Sequence, residues 1–263
     1  MSRFDLQALN ALAVAAGTEI LRIYATDFAV ITKGDESPVT LADQAAEAII
    51  LDGLKNLAPD VPVVAEEEAA AGRIPHTDGL FWLVDPLDGT KEFVSKNGEF
   101  TVNIALIENG VPVQGVVYAP ALNEIFWGDA DGAFKAVVTD GVVGETEAIR
   151  VRTAGDGVVA IGSRSHGGDE TQAYLKRFAV KAFVAAGSSL KFCRLAEGAA
   201  DIYPRMGRTM EWDTAAGDAV LRAAGGRVET LDGQPLGYGK RGRDGETDFA
   251  NPHFVAFGDP AIS

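Results

Sequence analysis

A chain of 263 residues that is 47% hydrophobic can bury a sizeable core, which excludes disorder and suits one large domain or two closely packed ones. Its 38 Asp and Glu against 23 Lys and Arg leave a net charge of -15, which argues against nucleic-acid polymers, because displacing the counterions of a phosphate backbone needs cations. The single cysteine, Cys193, excludes an internal disulfide and a thiolate-rich metal site and reads as core filler, and no apolar run approaches the ~18 residues of a membrane span. Residues 1–21 are amphipathic rather than a basic signal segment, so a soluble, cytoplasmic protein is expected.

In chain order, Leu6, Leu9, Ala13, Ala16, Ile20 and Ile23 recur at three- and four-residue steps and predict a helix over 5–24. A polar loop through Lys33, Gly34 and Asp35 leads to Ser37-Pro38-Val39-Thr40, where Thr40 is placed to cap a second helix with Asp43 in its first turn. Residues 62–65 and 80–84 read as buried strands, each ending in carboxylates. From 100 to 136 the pattern is an antiparallel meander, with turns at Asn109-Gly110, 120–123 and Asp131-Gly132. Beyond 155, strands at 158–161, 180–184, 201–203 and 227–231 alternate with helices at 169–178, 188–196 and 214–224. Gly225-Gly226 closes the last of these helices, 237–247 reads as a mobile charged loop, and 254–257 as a final strand. The pattern divides the chain into an α+β half, 1–150, and an α/β half, 151–263.

The sharpest signal is Asp85-Pro86-Leu87-Asp88-Gly89-Thr90 directly after a buried strand. Two carboxylates three apart, with Pro stiffening the turn and Gly permitting close approach, make an oxygen cage suited to Mg²⁺; the competing reading is an Asx-type turn. Glu66-Glu67-Glu68 ends another strand, and Glu211-Trp212-Asp213 precedes a small-residue helix. Glu68 reads as a solvated charge, whereas Glu66 and Asp213 are better placed as ligands, so the candidate set is Asp43, Glu66, Asp85, Asp88 and Asp213. Gly89 and Thr90 open a helix whose N–H groups suit phosphate oxygens.

These motifs together, with Lys91-Glu92-Phe93, 97–106, Ser163-Arg164-Ser165-His166 and 187–193, closely resemble the inositol monophosphatase superfamily over nearly the whole chain, and within it the CysQ-like 3'(2'),5'-bisphosphate nucleotidases. The resemblance implies an αβαβα sandwich and a lithium-sensitive phosphatase using two or three Mg²⁺ ions, with Ca²⁺ also inhibitory. It implies that Glu66, Asp85 and the Leu87 carbonyl hold one ion and that Asp85, Asp88 and Asp213 hold another. Water attacking phosphorus would be activated by Thr90 and Asp43, with Glu66 close by.

Where inositol-specific members carry a Glu, this chain has Arg205, whose fork suits a second phosphate. Gly89, Thr90, Ser188, Lys191 and Asp213 complete the expected substrate contacts. Arg164 and His166 are weaker candidates, His76 and His253 read as surface or strand-edge residues, and Lys91 with Glu92 as a helix-surface pair. The leading expectation is hydrolysis of the 3'-phosphate of adenosine 3',5'-bisphosphate to AMP, by a monomer or homodimer acting on a small phosphorylated substrate. The alternatives are an inositol or sugar monophosphatase of the same superfamily and a non-catalytic metal-binding relative. A haloacid-dehalogenase mechanism is disfavoured because it needs Asp-x-Asp rather than Asp-x-x-Asp.

Overall fold

The apolar stripe at the start of the chain folds as its spacing predicts. In the computed structural model, which describes residues 3–26, 30–32, 38–163, 168–259 and 261–262, α1 (Leu6–Tyr24) starts at Asp5, whose carboxylate accepts the Gln7 N–H at 2.9 Å. The antiparallel pair β1 (Val30–Thr32) and β2 (Pro38–Thr40) runs into α2 (Leu41–Leu57), with Asp43 in the first turn. Next come β3 (Val63–Ala65), α3 (Glu66–Ala70), β4 (Leu80–Asp88) and α4 (Thr90–Val94). The meander follows as β5 (Thr101–Glu108), β6 (Val111–Ala119), β7 (Glu124–Asp129), β8 (Gly132–Thr139), β9 (Val142–Val143) and β10 (Glu147–Ile149). These strands form one eight-stranded sheet in the order β10-β8-β7-β6-β5-β4-β3, with β9 on β8, antiparallel except for the parallel pair β3 and β4.

The second half contains β11 (Val158–Gly162), α5 (Asp169–Leu175), β12 (Val180–Ala185), α6 (Leu190–Ala196), β13 (Ile202–Arg205), α7 (Ala215–Ala223), β14 (Arg227–Thr230) and β15 (Phe254–Phe257). Its five-stranded sheet has the order β12-β11-β13-β15-β14. Each helix and strand read from the sequence is present, while the loop through Lys33, Gly34 and Asp35 lies outside the described residues. The helices are shorter than expected, α6 beginning at Leu190 and α5 ending at Leu175, while the strand read at 201–203 runs on to Arg205.

Burial explains the unbroken apolar runs. On β4, Trp82 and Val84 join α1 and α2 in one core, whereas Phe81 and Leu83 join a second core on the opposite face. That second core holds Val117 of the first sheet, Phe192 and Cys193 of α6, Val220 of α7, and Tyr203 and Phe254 of the second sheet, so it crosses the boundary near residue 150. Beneath the second sheet, Leu175 of α5 packs with Ile202, Val255 and Phe257. The layers are therefore helix, sheet, helix, sheet, helix.

Helix α7 lies flush on the first sheet because β6 and β7 present glycine to it. A Cβ on Gly115 would stand 2.5 Å from the Ala216 carbonyl oxygen, and one on Gly128 would stand 2.8 Å from Ala223 Cβ. No helix among the described residues is long and apolar enough to cross a membrane.

Candidate active site

The sequence places Asp85 and Asp88 just beyond a strand; the structure instead carries β4 through both. Asp85 pairs with Asn103 and Asp88 with Thr101, so Pro86 and Leu87 oppose Val102 alone, which is a β-bulge. Pro86 has no N–H for the ladder. The Leu87 N–H instead donates to Asp85 Oδ1 at 3.0 Å, and the Leu87 carbonyl accepts the Thr90 hydroxyl at 3.5 Å. Gly89 then turns with φ +92° into the five-residue helix α4, a backbone that side chains rarely adopt. The bulge thus compacts both carboxylates, the Leu87 carbonyl and the Thr90 hydroxyl into one corner.

The remaining acids arrive from other elements. Asp43 comes from the first turn of α2, Glu66 opens α3 at the end of β3, and Asp213 stands just ahead of α7. Burial, followed by the charges of Glu66, Asp88, Asp213 and Asp43, holds the Asp85 carboxyl well above the ordinary carboxylate range. Asp213 is raised for the same reasons, by burial first and then by Asp88 and Glu66, against the opposing Met210 N–H and Arg205. The separated clusters therefore converge.

Ion pairs of the described residues go elsewhere, for example Lys240 to Glu211 at 2.7 Å and Arg152 to Asp201 at 2.8 Å, and none reaches Asp85, Asp88 or Asp213. The carboxylates approach one another without closing on a single point: among the described residues no three form a ready coordination shell. Asp213 Oδ2 accepts the Met210 N–H at 2.8 Å, and Asp88 Oδ2 accepts the Ser188 hydroxyl at 2.6 Å. Asp85, Asp88 and Asp213, oxygen donors that repel one another and meet no side-chain cation among the described residues, suit a hard divalent cation.

A cleft of about 120 Å³ adjoins this corner, lined by Asp88, Gly89, Lys91, Ser188, Arg205 and Asp213, among others. Arg205, the last residue of β13, donates through Nη2 to the Arg208 carbonyl at 3.2 Å, while its buried Nε has no acceptor among the described residues. A buried guanidinium donor without a partner is costly unless an anion meets it. Lys191 lines the same cleft as Arg205 but is held from within. It is 5% exposed, its Nζ donates to the Ser188 carbonyl at 2.6 Å, and burial pulls its ammonium down to about 8. The Ser188 hydroxyl is likewise engaged, donating to Asp88 and sharing a short hydrogen bond with Thr101. Lys91 and Glu92 line the cleft rather than a remote helix surface.

Arg164 and His166 lie outside the described residues. His76 is surface-exposed beside Asp78, and Glu68 pairs with Arg73 at the surface. Cys193 is fully buried in the shared core. Two residues gained no role from sequence. Glu211, next to the candidate ligand Asp213, is fully buried; it accepts the Lys240 N–H at 2.9 Å and pairs with the Lys240 ammonium, pinning the base of the loop read as mobile. Glu47, 4% exposed, accepts the N–H groups of Glu67 and Glu68. Its position four residues after Asp43 and three before Ile50, on the buried face of α2, was the available signal.

Known proteins resemble this chain in sequence and fold. The profile of the Inositol monophosphatase family matches residues 3–253. The chain is 46% identical to the 3'(2'),5'-bisphosphate nucleotidase CysQ of Escherichia coli (strain K12) over 245 residues, 92% of this chain and 95% of that protein. It is also 46% identical to CysQ of Salmonella typhimurium over 251 residues, covering 95% and 98% of the two chains. The crystal structure of CysQ from Bacteroides thetaiotaomicron superposes with a TM-score of 0.78 at 38% identity, covering 97% of this chain and 98% of that one. An inositol monophosphatase from Thermotoga maritima gives 0.73 at 27% identity, with 96% and 91% covered. The bulged aspartate motif, the converging carboxylates and these matches together establish that the chain belongs to the inositol monophosphatase family.

Proposed function

We propose that this protein is a Mg²⁺-dependent 3'(2'),5'-bisphosphate nucleotidase that hydrolyses the 3'-phosphate of adenosine 3',5'-bisphosphate, giving AMP and phosphate. The observation that carries the reading is the juxtaposition, in one cleft, of Asp88 and Asp213 with an arginine whose buried Nε has no acceptor among the described residues. The similarity to the CysQ nucleotidases supports it. Glu66, Asp85 and the Leu87 carbonyl would hold one Mg²⁺, and Asp85, Asp88 and Asp213 would hold a second. Bound there, the cations would offset the charge of the reacting phosphate and make water a stronger acid at neutral pH.

The chain's own groups supply orientation. The Thr90 hydroxyl and the Asp43 carboxylate orient the attacking water, with Asp43 or Glu66 taking its proton. The Gly89 and Thr90 N–H groups steady the transferred phosphate. Arg205 meets the non-reacting phosphate, and Lys191, from behind the Ser188 carbonyl, adds positive potential to the same wall. Residues 1–150 provide every metal ligand except Asp213, which 151–263 adds together with the specificity side chains. On this reading the enzyme works in the cytoplasm as a monomer or homodimer.

A substrate panel tests it. Phosphate release from adenosine 3',5'-bisphosphate is expected to exceed that from inositol 1-phosphate and adenosine 3'-monophosphate, to vanish in EDTA and to return with Mg²⁺. Equal or faster release from inositol 1-phosphate would move the assignment to the sugar-phosphate branch of the family. Li⁺ at millimolar concentration is expected to inhibit, with Na⁺ at equal ionic strength inert; full activity in Li⁺ contradicts the assignment of the second cation position.

A further inference from the structure

Glu47 follows Asp43 by four residues on α2, so the two lie on one face, and they are 4% and 2% exposed respectively. Asp43 faces the carboxylate group, its charge acting on Asp85. Glu47 instead reaches across to α3, where its Oε2 accepts the N–H of Glu67 at 2.8 Å and its Oε1 accepts the N–H of Glu68 at 3.1 Å. These are first-turn donors of α3, which have no partner within the helix. The N-cap residue is Ala65, which has no side chain to accept them. A helix of five residues does not hold itself in water, and this one begins with Glu66, Glu67 and Glu68.

On the other side of Glu66, Ala65 is fixed in β3, where it pairs with Val84 of β4. Glu66 is therefore clamped between a strand residue and two backbone groups that are fixed from α2. The charge of Glu66 also acts directly on Asp85.

We propose that Glu47 is a positioning residue for Glu66: by bridging two α3 backbone N–H groups from α2, it holds the turn that presents the Glu66 carboxylate beside Asp85. The proposal rests on the reading of Glu66 as a metal ligand. It makes α2 the common support of both carboxylates that flank the attacking water, Asp43 directly and Glu66 through Glu47. Groups that orient a ligand are commonly worth 10- to 100-fold in metal affinity.

The test measures Mn²⁺ binding to the full chain without substrate, by the paramagnetic resonance signal of free Mn²⁺. Glu47→Gln keeps the side-chain shape and one acceptor; Glu47→Ala removes both. Glu47→Gln is expected to stay folded by circular dichroism, to exchange the Glu67 and Glu68 amide protons faster, and to weaken Mn²⁺ by about 10- to 100-fold. Its KM for adenosine 3',5'-bisphosphate at saturating metal is expected to hold within about twofold, because only the metal side is disturbed. If Glu47 acts through Glu66, adding Glu47→Gln to Glu66→Gln costs little further affinity. Unchanged Mn²⁺ affinity despite faster exchange, or fully additive losses in the double variant, overturns the proposal and leaves Glu47 as an anchor of α3 alone. A parent protein that binds no Mn²⁺ overturns the metal reading beneath it, and that failure is visible before any variant is made.

Discussion

Asp85 and Arg205 present opposite electrostatic problems, and each yields a measurement. Asp85 is a buried acid among acids, so Asp85→Asn relieves repulsion while deleting a ligand shared by both proposed cations. Turnover is expected to fall on the order of 10³-fold or more, as a loss of metal-centred stabilisation, with Tm equal to or above that of the parent in EDTA; parental turnover at saturating Mg²⁺ would remove Asp85 from the mechanism. Because burial raises Asp85, Asp213 and Glu47, the native state binds protons that the unfolded chain has released. Their contribution to stability is full below the ordinary carboxylate range and is lost as pH rises through the native values, which for Glu47 means from 4.5 to about 7. In EDTA, Tm is therefore expected to fall across that interval, and saturating Mg²⁺ is expected to flatten the slope; a Tm that rises with pH in EDTA contradicts the assignment. Arg205 is the reverse case, a cation whose buried Nε lacks an acceptor among the described residues. Arg205→Glu is expected to cost about 2–5 kcal/mol on the bisphosphate through lost attraction and new repulsion. Monophosphates would be spared, shifting the ratio of specificity constants about tenfold per 1.4 kcal/mol. Equal losses on both substrate classes would make Arg205 a structural residue.

At the scale of elements, the position of Asp213 depends on how closely α7 sits on the first sheet. Gly115→Ala would push a methyl group to 2.5 Å from the Ala216 carbonyl oxygen, which backbone cannot yield cheaply. The variant is expected to lose about 1–3 kcal/mol of stability from overpacking. It is also expected to need more Mg²⁺ for half-maximal activity, since α7 follows directly on Asp213; an unchanged metal requirement in the folded variant would uncouple the helix seat from the site. The elements themselves were legible in the sequence because burial leaves a period: three and four in α1 and α2, unbroken apolar runs in strands covered on both faces. The bulge in β4 was not, since a Pro after Asp85 reads equally as the end of a strand, and only the pairing of Asp88 with Thr101 shows that the strand continues. Side-chain direction was also hidden. Lys191 and Arg205 look alike as cations near a cleft, but Lys191 turns inward to carbonyls, while the Arg205 Nε finds none. Glu211 and Asp213 sit two apart in one acidic cluster, yet Glu211 closes a loop through Lys240.

For the whole molecule, the acidic composition and single cysteine were readable at once, whereas the continuity of the core across residue 150 was not, because each half shows a complete pattern of its own. That continuity predicts joint unfolding of the two halves. Calorimetry is expected to give one transition whose calorimetric and van't Hoff enthalpies agree, and two resolved peaks would mean that each half is stable alone. Cys193 sits fully buried within this shared core, where burial raises its thiol far above the range in which thiolate forms. Reagents attack the thiolate, so the native protein offers a labelling compound nothing to react with. Only an excursion that parts the sheets from α6 exposes it, and the chain has no second sulfhydryl to confuse the signal. The rate at which an aromatic disulfide colours in the presence of this protein thus becomes a clock for global opening, and any compound that settles in the metal cleft is expected to slow that clock without coming near the sulfur.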